Sequence, residues 1–102
     1  MADIENSFRT VGDGVKSNVT AGTALQLSSS SIACRRVIVQ ARVANTGNIA
    51  VGASTVVATA GAERGIVLVP GGSYIFNVTD VNKLYIDAAV SGEGVSYIYF
   101  KD

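Results

Sequence analysis

From residue 35 onward the apolar side chains fall on alternate positions in short runs, separated by clusters of Gly, Pro, Asn, Asp and Ser. A period of two marks β-strands with one face buried, and no stretch shows the three-to-four residue spacing of an amphipathic helix. The pattern predicts strands near residues 16–20, 24–27, 35–44, 49–51, 66–69, 74–78, 84–88 and 95–100. The fold class expected is therefore all-β, a single β-sandwich or jelly-roll-like domain of about eight short antiparallel strands, with a small barrel as the neighbouring alternative.

Alternation also assigns faces. Val37, Val39, Ala41 and Val43 form one apolar row and are expected in the core, with Arg36, Ile38, Gln40 and Arg42 on the other side. Tyr74, Phe76 and Val78 oppose Ser73, Ile75 and Asn77, and Leu84, Ile86 and Ala88 oppose Lys83, Tyr85 and Asp87. The last strand is apolar on both sides, Val95, Tyr97 and Tyr99 against Ile98 and Phe100. Such a strand is either covered twice within its own domain or meets a partner.

Three turns punctuate these strands: residues 45–48, where Gly47 is expected at positive φ, 70–72, where Pro70 sets the corner, and 91–94. Residues 53–62, made almost entirely of small side chains, read as a loop with one weak strand, and the serines at 28–31 as an exposed connection. Before Val15 the large apolar side chains are Ile4 and Phe8, set among Asp3, Glu5, Arg9 and Asp13. Residues 1–14 are thus expected as an arm or edge strand, and 15–102 as the sandwich domain.

A chain of 102 residues with 48% hydrophobic and 16% charged residues has the size and apolar content for one packed core. Eight basic and eight acidic residues leave a formal net charge of zero, so the field that draws proteins to nucleic acid or anionic membranes is lacking and neither partner is expected. The opening MADIENSFRT has no basic start followed by an apolar run, which favours synthesis in a cytoplasm.

Catalytic equipment is sparse. Without histidine, a serine or cysteine triad cannot be assembled and zinc loses its commonest nitrogen ligand, so neither enzyme activity nor a cofactor is expected. Cys34, the single cysteine, precludes an internal disulfide, and it reads as a packing residue although Arg35 and Arg36 beside it favour a thiolate. Asp87 and Glu93 read as solvated turn residues rather than a glycosidase pair, and Asp80 with Asn82 as a polar turn rather than a calcium site. Arg36 and Arg42 are expected to pair across strands with Asp87 or Glu93, with an acidic partner surface as the alternative. Tyr85 with Tyr97 or Tyr99 is the candidate sugar-stacking platform.

Taken together, CRRVIVQARVANTGNIAVGASTV and RGIVLVPGGSYIFNVTDVNKLYIDAAVSGEGVSYIYF resemble small virion structural proteins of tailed bacteriophages, head decoration or cement proteins in particular, over about residues 16–100. Asn45, Gly47, Asn48, Pro70, Gly71, Asp87, Gly92 and Gly94 carry the likeness as structural positions, while Val69 departs from the small or polar residue expected before the corner proline. The resemblance implies a capsid-surface protein, made in the host cytoplasm, that binds the major capsid protein or another virion protein as a homotrimer and clamps the lattice. Its alternative is a tail or fibre module binding host glycans. Candidate partner or oligomer contacts are Ile4, Phe8, Arg36, Arg42, Tyr85, Ile98 and Phe100.

Overall fold

Two four-stranded antiparallel sheets make a β-sandwich in the computed structural model, which describes residues 10–101. In chain order the strands are β1 (Thr10–Lys16), β2 (Leu25–Gln26), β3 (Arg36–Ala41), β4 (Ile49–Gly52), β5 (Ile66–Leu68), β6 (Ser73–Phe76), β7 (Tyr85–Ala88) and β8 (Val95–Lys101). Sheet A has the order β1-β8-β3-β6 and sheet B the order β2-β7-β4-β5. A 3-10 turn, Val81–Lys83, precedes β7.

The core is what alternation predicts for β3 and for Ile86 and Ala88 of β7, and β4 adds to it. Val37, Val39 and Ala41 from sheet A meet Ile49, Val51 and Ile86 from sheet B, all fully buried. Removing each of the larger side chains from water contributes about 1.5–3 kcal/mol, which fixes the register because a one-residue slip would expose the whole set. Val43 does not join them. It is 79% exposed because β3 ends at Ala41 and the chain turns at once, with the Asn45 amide donating to the Arg42 carbonyl. Tyr74 is likewise half exposed, while Phe76 and Val78 pack against the core from its rim.

The first strand differs from its expected position, covering Thr10–Lys16 instead of 16–20. Gly12 and Gly14 look like strand breakers, yet they sit opposite Tyr99 and Tyr97, whose rings lie over them: a Cβ at either glycine would fall 2.3–2.4 Å from the tyrosine. Aromatic cover of strand glycines compensates for the missing side chains. Asn18, at φ 57°, then breaks the extended run that its neighbours suggest. Residues 10–14 thus belong to the edge strand of sheet A, and Ile4 and Phe8 lie outside the described residues.

The corner at Pro70 is a type II turn: the Gly72 amide donates to the Val69 carbonyl at 2.7 Å and Gly71 takes φ 82°. Gly47, expected at positive φ, is not there. What it provides is room, since a Cβ would lie 2.8 Å from the Val90 side chain.

Each sheet has a second, outward face, and the two are treated differently. Over sheet B the 53–65 connection folds back as a flap, tied by a Val57–Arg64 bridge, and buries Val56 and Ala58 against Ala50 with Tyr85 alongside. Over sheet A, among the described residues, nothing is folded back.

Candidate functional site

The acidic side chains lead away from chemistry. Asp87, expected in solvent or paired to arginine, is 1% exposed and lies in sheet B, away from Arg36 in sheet A. Its Oδ1 accepts from the Gly22 amide at 2.9 Å and its Oδ2 from the Ala58 amide at 2.8 Å. One carboxylate thereby fastens the flap and the 20–24 turn onto β7. Alternation puts Asp87 on the face opposite Ile86, and the flap that covers that face leaves no signal in the sequence.

Glu93 does not pair with arginine either. It accepts from the Thr46 amide and hydroxyl at 2.7 and 2.8 Å and from the Gly47 amide at 3.0 Å, joining the turns that lead into β4 and β8. Asp80 accepts from the Ser31 hydroxyl and from the Ile32 and Asn82 amides, capping the 3-10 turn. These contacts take the lone pairs that a cation would need, and among the described residues no group of acids and cysteine is placed to hold a metal. Asp80 is held below the usual carboxylate range first by Ser31, then by the amides, and Glu93 by the Thr46 and Gly47 amides. Both groups stabilise the fold fully above their unfolded values of about 3.9 and 4.3, and that stabilisation is lost as pH falls through the lower folded values. Melting temperature followed from pH 7 down to pH 2 should therefore drop below about pH 4, and Glu93→Gln should flatten part of that drop. An unchanged acid limb in Glu93→Gln would refute the assignment.

Cys34 is buried, its thiol donating to the Val78 carbonyl at 3.3 Å. Burial, then the charge of Asp80, pushes the thiol up rather than down, the reverse of an activated nucleophile. Tyr85 packs under the flap of sheet B, whereas Tyr97 and Tyr99 cover β1 in sheet A, their rings 6.4 Å apart. The tyrosines proposed as a sugar platform are thus not brought together. Arg36 donates to the Asn77 side chain at 3.0 Å, and Arg42 stands exposed just beyond β3.

What the structure does assemble is the outward face of sheet A. Register places its side chains in three rows across the strands: Val11, Phe100 and Arg36; then Asp13, Ile98, Ile38 and Ile75; then Val15, Ser96, Gln40 and Ser73. Val11, Val15 and Ile75 are each more than half exposed, while Ile38, Ile98 and Phe100 are partly so. The second and third rows enclose a shallow trough of about 410 Å³, floored by Ile38 and Ile98 between Asp13 and Val15 on one side and Gln40 and Ser73 on the other. Of the two faces of β8, the one bearing Val95, Tyr97 and Tyr99 is turned inward, and the one bearing Ile98 and Phe100 is turned outward, its residues partly exposed. Exposed apolar patches are candidate interaction surfaces.

Comparison with family models, with curated proteins and with solved structures found no match for this chain.

Proposed function

We propose that this chain is a non-enzymatic structural protein of a phage virion, of the decoration or cement kind, that binds the assembled capsid and stabilises it. The observation that carries the reading is the largely apolar outward face of sheet A, over which nothing among residues 10–101 folds back, on a domain whose Asp80, Asp87 and Glu93 are engaged by its own backbone amides. A small sandwich braced in this way is a rigid spacer with one adhesive side. Rigid partners lose little conformational entropy on docking, which suits a protein that must bind many equivalent lattice positions. The zero formal net charge fits docking by shape and apolar contact rather than by long-range attraction. The glycan-binding alternative needs a stacking surface, and the separation of Tyr85 from Tyr97 and Tyr99 deprives it of the one foreseen in the sequence.

The test is made on particles. Virions purified on a density gradient should contain the chain in a fixed ratio to the capsid protein, and particles stripped of it should withstand more heat once the purified chain is added back. Absence of the chain from the particles, or particles indifferent to its return, would overturn the proposal.

A further inference from the structure

We infer that β6, an outer strand of sheet A, pairs edge to edge with β6 of a second copy, antiparallel and centred on Ile75, so that the two copies of sheet A join into one continuous sheet. The inference goes beyond the capsid reading above and does not rest on it, since it is tested on the isolated chain.

The main chain identifies the kind of occupant. β6 has β3 on one side and no strand on the other. The Ala41 amide donates to the Gly72 carbonyl at 2.9 Å, and the β3–β6 register sets those two residues level. Antiparallel ladders alternate bonded and non-bonded pairs, so Val39 with Tyr74 and Val37 with Phe76 exchange the hydrogen bonds with β3. The N–H and C=O groups of Ser73, Ile75 and Asn77 consequently point away from β3. Among the described residues nothing bonds to them. Donors and acceptors at this spacing are matched by another extended main chain.

Side chains and charge identify that chain as a second copy. The other sheet edges are blunted: β1 carries Asp13 and Lys16, β2 has two residues, and β5 has three and stops just short of Pro70. β6 holds no charge and no proline, and no charged residue occurs between Arg64 and Asp80, so the paired strands oppose no like charges. Centred on Ile75, the pairing sets that residue, 52% exposed, on its own copy and Ser73 opposite Asn77, polar on polar. On the other side of the sheet Tyr74, 50% exposed, comes twice opposite Phe76, in the non-bonded pairs where side chains approach most closely. Tyr74 and Phe76 of one chain already have their ring centroids 5.2 Å apart, so the pairing builds a row of four rings. A centre one residue earlier would set Ile75 on Ser73 and Phe76 on Gly72, losing both matches. Arg36, which donates to the Asn77 side chain at 3.0 Å, is kept from its counterpart because the two Asn77 residues lie at opposite ends of the pairing, about 14 Å apart along the strands.

One strand edge is a small contact, below the area of a standard stable interface, so association is weak in dilute solution and grows where copies are concentrated. Sedimentation equilibrium of the whole chain from about 10 µM to about 1 mM should show the mass rising from that of one chain toward two, and no further. Over the same range the Ser73 and Ile75 amides should become about five-fold or more slower to exchange with solvent. Ile75→Lys and Ile75→Glu should each weaken self-association by about ten-fold or more, because each sets like charges face to face. Their equimolar mixture should recover association to within about three-fold of the original, since the new lysine then faces the new glutamate. Val11→Lys, on the opposite edge of sheet A, should leave association unchanged. A mass that remains at one chain, a rise to three, Ser73 and Ile75 amides that exchange equally fast at both concentrations, or a mixture that stays apart would each overturn the pairing. A single chain whose Ser73 and Ile75 amides are protected only on particles would overturn it too, giving the edge to a foreign strand. Mass and exchange on the unaltered chain decide even if a variant fails to fold.

Discussion

Asp87→Ala should lower stability by about 2–5 kcal/mol, since it leaves the Gly22 and Ala58 amides without acceptors in a place that water does not reach. In a domain of this size about 3 kcal/mol corresponds to a fall in melting temperature of roughly 12–24 °C. The loss has a local signature as well. With the carboxylate gone, the 53–65 flap is no longer fastened to β7, and trypsin should cut after Arg64 faster under native conditions. Asp87→Asn retains one acceptor and turns an amide group toward the second donor, so it should fall between. Urea denaturation measures all three chains, and an Asp87→Ala value within about 1 kcal/mol of the original would show that the clamp contributes little.

The second large effect is expected at Gly94, where the start of β8 crosses the end of β1. A Cβ there would stand 2.0 Å from the Lys16 carbonyl oxygen and 2.7 Å from the Ser17 Cα, both backbone atoms that cannot swing aside. The Gly94 carbonyl also accepts from the Asn45 side chain at 2.8 Å and from the Arg42 amide at 3.2 Å, so any displacement disturbs two further segments. Gly94→Ala should cost about 3 kcal/mol or more, at the upper end of overpacking effects. Gly92 is the internal comparison: it has φ 93° but open space around a would-be Cβ, so Gly92→Ala should cost only the roughly 1–2 kcal/mol of a left-handed residue. Thermal melts that place the two variants together would rule out close approach as the reason for glycine at 94.

Most of the sandwich was legible because its central strands obey the period of two. Val37, Val39 and Ala41, or Ile86 and Ala88, announce a buried row without reference to anything distant in the chain. The margins were not legible, for three separate reasons. β1 was displaced because glycine in a strand is read by its own propensity, whereas Gly12 and Gly14 depend on Tyr99 and Tyr97, more than eighty residues away. Val43 was placed inside because alternation carries no information about where a strand stops. Asp87 was misjudged because charge was weighed against solvent, when the cover that buries it comes from a flap of small residues whose sequence shows no sign of docking. Of the surface, Ile98 and Phe100 were identifiable from the double apolar character of their strand. Their companions Ile38 and Ile75 lay in plain sight on the second faces of β3 and β6, and needed only the register to bring them together.

The tyrosine cover of β1 also bears on the order in which the sandwich comes apart. No residue of β1 belongs to the buried core, and its inward positions Gly12 and Gly14 give the interior no side chain. What holds this strand is the ladder to β8 and two rings laid across bare backbone. Local opening proceeds most readily where few apolar contacts are lost, so β1 is expected to open readily and its amides to exchange with solvent ahead of global unfolding. Lifting it away leaves Val37, Val39 and Ala41 beneath β8 and β3 undisturbed and turns β8 into a free sheet edge. The outer strand is therefore expected to open ahead of the rest of the sandwich, which hydrogen exchange of the β1 amides would show.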